Sequence, residues 1–86
     1  MSPSDRLLDY VRSRPGRPLS LTKLARAAYG RANFPRRDRC VRDLMETVRA
    51  RLGPEEVIAT VFGRGYVYLR PGVVLTEDIV RDWQDA

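Results

Sequence analysis

The chain is 86 residues long, which suits one domain with a modest core, since a domain of this size buries only about 60–65% of its unfolded surface. Its apolar share of 43% excludes a disordered chain, and the single cysteine, Cys40, excludes an internal disulfide framework. The net charge of +5 divides unevenly: residues 1–30 and 31–52 carry +4 each, residues 53–70 balance at zero, and residues 71–86 carry −3.

A basic body with an acidic end points to a polyanionic partner, met through phosphate contacts and counterion release. No apolar run approaches the ~20 residues of a membrane helix, so no membrane partner is expected. Met1-Ser2-Pro3-Ser4-Asp5 lacks the features of a secretion signal, so the expected location is cytoplasmic. Histidine is missing, which removes the commonest general base and the usual nitrogen ligand for metals. Gly63-Arg64-Gly65 is too short for a dinucleotide fingerprint and leads into a strand. Glu55-Glu56 reads as an exposed loop and Glu77-Asp78 as a helix start. The expectation is therefore a protein that is not an enzyme and has neither cofactor nor metal.

The first helix is expected over about Pro3–Ser13, with Ser2 as cap, Pro3 in the first turn and Leu7, Leu8 and Val11 on one apolar face. Pro15-Gly16-Arg17-Pro18 then turns the chain. A second helix starts from the cap Ser20, with Leu19 and Leu24 spaced as a hydrophobic staple, and ends at Gly30. Leu21, Leu24, Ala25 and Ala28 form its apolar face. After the loop Arg31–Arg37 comes the best-patterned element, a third helix over 38–52 capped by Asp38, in which Val41, Leu44, Met45, Val48 and Leu52 recur at helical spacing. Gly53-Pro54 stops it, and the composition turns to β. Val57–Phe62 and Tyr66–Leu69, joined through Gly63-Arg64-Gly65, read as a hairpin. A last helix, about Glu77–Trp83, has Thr76 as cap and Ile79, Val80 and Trp83 as its apolar face, which has three readings: packing within the molecule, homodimer contact, or engagement of another protein. The fold class is α+β: a winged helix-turn-helix with a three-helix core, a β-hairpin wing and an extra C-terminal helix. Residues 1–70 form the domain, and 71–86 are its acidic helical extension.

Turning the third helix by ~100° per residue separates its faces. Val41, Met45, Val48 and Leu52 lie on the core side, with Arg39, Asp43, Glu46, Thr47 and Ala50 opposite. Arg42 and Arg49 flank one edge and Arg51 the other. Such a helix suits a major groove, with Arg39 and Thr47 toward base edges and flanking arginines on phosphates. Asp43 and Glu46 have two readings: hydrogen-bond acceptors from cytosine, or intrahelical partners of Arg39 and Arg42 at i, i+4. Arg64, at the hairpin tip, is either a minor-groove probe or a solvated turn residue. Tyr66 and Tyr68 read as packing residues, and Cys40 as a small, partly buried one.

These residues resemble a known family, the OmpR/PhoB-type winged-helix effector domain of bacterial response regulators. Leu7-Leu8-Asp9-Tyr10-Val11 with Arg14-Pro15-Gly16-Arg17, Leu19-Ser20 through Tyr29-Gly30, and Asp38-Arg39-Cys40-Val41 with Leu52-Gly53 are similar to its three helices. The most specific part is Ile58-Ala59-Thr60-Val61-Phe62-Gly63-Arg64-Gly65-Tyr66-Val67-Tyr68, where the family's wing has threonine-valine, a variable residue, then glycine-x-glycine-tyrosine. The resemblance covers residues 5–69. It implies a helix-turn-helix from the second and third helices, and double-stranded DNA as the partner. By position it implies DNA contact by Arg39, Asp43, Thr47, Arg49, Thr60 and Arg64. Arg36, Arg37, Arg42 and Glu46 complete the candidate set from their place on or before the third helix. The loop Arg31–Arg37 matches a segment that in the family can touch RNA polymerase. The chain departs from the family pattern in showing neither a receiver domain nor the small N-terminal sheet. Asp43 and Glu46 stand where the family is usually apolar, polar or basic, and the acidic helix after Gly72 is additional.

The leading expectation is a DNA-binding transcriptional regulator, with helix 38–52 in the major groove and wing 57–69 on the adjacent groove or backbone. Two other readings are open: a winged-helix module that binds RNA polymerase or another DNA-bound protein, and a mobile-element accessory for DNA packaging or recombination.

Overall fold

Ser2 begins the first helix as the sequence leads one to expect. Its hydroxyl accepts from the Asp5 amide at 3.2 Å, and the Asp5 carboxylate accepts from the Ser2 amide at 3.1 Å, a reciprocal capping box. In the computed structural model, which describes residues 1–61 and 64–72, this helix, α1, spans Pro3–Arg12 and buries Leu7, Leu8 and Val11. Ser13 closes it as the C-cap.

The turn after α1 does more than reverse the chain. Pro18–Leu19 is a short strand, β1, which pairs antiparallel with a later strand through Pro18↔Val67 and Leu19↔Tyr66. The sequence expectation contained no strand here, because two residues are too few to show an alternation. Ser20 then caps α2, Leu21–Tyr29, by accepting from the Lys23 amide at 3.2 Å. Leu24, Ala25 and Ala28 are buried, and Gly30 ends the helix in the left-handed region at φ 75°.

The third helix, α3, spans Arg37–Ala50 rather than 38–52. Its N-cap residue is Arg36 at φ 59°, not Asp38, and no side chain caps it. Asp38 sits inside the first turn, where its charge still favours the positive end of the helix. Val41, Met45 and Val48 are buried, and Leu44 and Leu52 pack half-buried against the same core.

Strands β2, Val57–Val61, and β3, Gly65–Leu69, pair from Val57↔Leu69 to Val61↔Gly65. The sheet order is β1-β3-β2, with β3 in the centre. That position explains why four of its residues, Gly65–Tyr68, are buried while β2 buries only Ile58. Tyr66 and Tyr68 are packing residues, as expected, and join the core beside Leu19 and Ile58. Helix α1 packs on α2, α3 and β3, so one core serves helices and sheet together. The observed architecture is the α+β winged helix. The expected helix around Glu77–Trp83, with Thr76, Ile79 and Val80, lies outside the described residues, as do Phe62 and Gly63. No helix among the described residues is long and apolar enough to cross a membrane.

Candidate nucleic-acid interface

One arginine gathers the polar groups at the joint between α2 and α3. Arg37 Nη1 donates to Thr22 Oγ1 at 3.2 Å, to the Ala32 carbonyl at 2.9 Å and to Asn33 Oδ1 at 3.0 Å. Its Nε donates to Asp38 at 3.0 Å. Its guanidinium therefore faces the protein, whereas the neighbouring Arg36 is exposed. Inside the same loop, Phe34 meets Tyr29 edge-on with ring centroids 5.3 Å apart. Burial, with Cys40 and Asp43 nearby, raises the Tyr29 phenol above its ordinary pKa. Cys40 itself is half-buried and free.

On the outer face of α3, Arg39, Arg42, Asp43, Glu46 and Thr47 are all exposed, as the helical rotation predicts. Their pairing differs from the expectation. Among the described residues there is no Arg39–Asp43 or Arg42–Glu46 ion pair. Glu46 instead accepts from Arg49 Nη1 at 2.7 Å, at i, i+3. Arg49 is turned toward the sheet: its Nε and Nη2 donate to the Ile58 carbonyl at 3.2 and 3.0 Å, and Nη2 also donates to Thr60 Oγ1. Its guanidinium carbon lies 5.3 Å from the centre of the Tyr66 ring, within cation–π range. Two members of the candidate set, Arg49 and Thr60, are thus bonded to each other.

Between α3, the start of α2 and the hairpin lies a cleft of about 340 Å³, whose lining includes Leu21, Arg42, Thr60, Arg64 and Tyr66. It brings together one arginine from the third helix and one from the hairpin tip. Arg39, Asp43 and Thr47 stand outside it on the helix surface, and Arg36 and Arg37 line a second hollow with Arg39 at the start of α3.

Residues 4–68 match the family described as transcriptional regulatory protein, C terminal. The chain belongs to this family. Its members are OmpR/PhoB-type winged-helix effector domains, so the chain is a DNA-binding domain of transcription regulation. No curated protein and no solved structure matches it.

The effector domain also contains a polar network that the sequence reading missed. Glu56 is not a loop acid facing water. It accepts from Arg12 Nε at 2.9 Å and Nη2 at 2.8 Å, from the Gly53 amide at 2.8 Å and from the Tyr68 hydroxyl. Arg12, then Tyr68 and Gly53, hold its carboxyl at about 2, below the ordinary 4.5. Burial and the bond to Glu56 raise the Tyr68 phenol, and Glu56 raises Arg12. At the other end of α1, Arg51 donates to Asp5 at 2.6 Å, and with Ser2 holds that carboxyl at about 2 against an ordinary 3.8. The only sequence hint was the placement of Arg51 on the edge of α3 away from Arg42 and Arg49. The Arg12–Glu56 partners are 44 residues apart, beyond the reach of any local pattern.

Proposed function

We propose that this effector domain binds duplex DNA with α3 in the major groove and the β2–β3 wing on the adjacent groove, the intervening sugar-phosphate strand passing through the cleft between them. The observation that carries this reading is the cleft itself. A helix and a hairpin that occupy neighbouring grooves are separated by one backbone strand, and this cleft presents Arg42 from one side and Arg64 from the other. Arg39 and Thr47, exposed about two helical turns apart on α3, are the side chains offered to base edges, and Asp43 the acceptor offered to cytosine. Arg36 lies at the helix start for phosphate contact. Arg37 contributes by holding the helix-turn-helix joint, and Glu46 by holding Arg49.

The test is titration of the domain with a random duplex pool across a salt series. Binding is expected to weaken by ~0.9 log units per log unit of salt for each phosphate neutralised. Arg42→Ala and Arg64→Ala are each expected to lower that slope by about one. Absence of binding at low salt would overturn the reading.

A second reading concerns the loop 31–36. Its carbonyl at Ala32 is pinned by Arg37, and Phe34 is braced on Tyr29 beside a small hollow of about 200 Å³ that Arg31 also lines. A loop held in one shape can present a surface to a protein, and RNA polymerase is the partner this loop would serve. Replacing Phe34 with alanine should then lower transcription from a target promoter while leaving DNA affinity unchanged. A matching loss of DNA affinity would remove this second reading.

A further inference from the structure

We infer that Arg49 is a positioning residue, a clamp that ties the C-terminal half of α3 to strand β2 and so sets the spacing between recognition helix and wing. The inference rests on the DNA-binding reading above for its consequence, and on the intramolecular geometry for its existence. Of the five N–H donors of this guanidinium, four are used inside the protein: Nε once, Nη2 twice and Nη1 once. Two of these converge on the Ile58 carbonyl, and a third reaches the hydroxyl of Thr60, two residues further along the same strand. The planar fork thus engages a main-chain acceptor and a side-chain acceptor whose separation is the repeat of a β-strand. A lysine, with one nitrogen, cannot hold both in that geometry.

Glu46 completes the device. Its carboxylate takes the remaining Nη1 edge at 2.7 Å, which orients the fork and offsets its charge. The Tyr66 ring of the neighbouring strand lies 5.3 Å from the guanidinium carbon, so β3 is joined to the same point. This gives Glu46, one of the two acids on the outer face of α3, a purpose that needs no cytosine. Apolar side chains of α3 and the sheet, Met45 and Val48 with Ile58 and Tyr66, share one buried core, which is not directional. Arg49 adds to that shared core a directional tie between α3 and the wing. A phosphate contact would require Arg49 to release Ile58 and Thr60.

The experiment compares Arg49→Lys, Arg49→Gln, Thr60→Val and the Arg49→Gln/Thr60→Val double variant, each shown folded by circular dichroism. A duplex selected from the random pool serves as probe. Arg49→Lys keeps the charge and loses the fork. It is expected to bind about tenfold more weakly, as Arg49→Gln does, with the salt slope of both unchanged. The hydroxyl-radical footprint should fade at the wing and persist under α3. In melting without DNA, the losses from Arg49→Gln and Thr60→Val should be strongly non-additive. Wild-type binding by Arg49→Lys, or a slope lowered by about one in Arg49→Gln with the wing footprint intact, would overturn the clamp. If the wild-type domain binds no duplex, the DNA reading fails by itself. The melting cycle then decides the clamp alone, with non-additive losses supporting it and additive losses overturning it.

Discussion

Glu56 gathers three donors, the Arg12 guanidinium, the Gly53 amide and the Tyr68 hydroxyl, and so joins the end of α1, the loop after α3 and the central strand. Its carboxyl and that of Asp5 are both held at about 2, below ordinary values of 4.5 and 3.8. A depressed folded-state pKa contributes stability that is fully present above the ordinary value and is lost as pH falls toward the folded one. The melting temperature of the effector domain is therefore expected to decline as pH drops from about 5 to about 2. Glu56→Gln should lower the melting temperature at neutral pH and flatten that acid decline, as scanning calorimetry across the pH range would show. An acid decline of undiminished steepness in the variant would place its source elsewhere. Arg37 and Arg49 teach the complementary lesson about cations. Charge and position make both candidates for DNA contact, and both direct their guanidinium groups to protein acceptors.

The elements themselves were largely legible. Ser2 with Asp5, and Ser20 before a leucine-alanine face, specify helix starts by hydrogen bonds that lie within three residues. The start of α3 was misread because Asp38, a good cap by type, is displaced by a left-handed Arg36, a conformation that residue type does not predict. Strand β1 was missed because its two residues gain strand geometry only by pairing with β3. At that pairing Gly65 is required. It has φ 142°, and a Cβ there would stand 2.1 Å from the Leu19 carbonyl oxygen. Gly65→Ala is expected to cost more than ~2 kcal/mol, since backbone on one strand must move away from backbone on another. Gly30→Ala is the control: φ is also positive, at 75°, but nothing lies within 4 Å of the added atom. It should cost only the ~1–2 kcal/mol of a left-handed alanine. Urea denaturation of both variants tests this, and equal losses would show that the approach to Leu19 is not what demands glycine.

For the molecule as a whole, charge sets the range of its attraction to DNA. With +5 on the whole chain and −3 on residues 73–86, residues 1–72 carry +8. A chain ending at Gly72 is expected to bind duplex DNA more tightly at low salt, with the advantage shrinking as salt rises. Equal affinities of the two chains at low salt would show that the acidic residues do not act on binding through net charge.

The sequence alone determined what depends on near neighbours and on averages: the three described helices, from apolar spacing and, for α1 and α2, caps; the hairpin, from β-branched and aromatic runs around glycine; and the basic character of the domain. Its wing residues carried the resemblance that the family match over residues 4–68 bears out. Only the tertiary structure decided which polar groups meet. Arg12 and Glu56 are 44 residues apart, and Arg51 and Asp5 are 46 apart. Apolar periodicity reports which face is buried, but burial places many polar side chains near one another without naming the pairs. The pairs follow from how helices and sheet pack, and that packing turns Arg12, Arg37, Arg49 and Arg51 to acceptors within the domain.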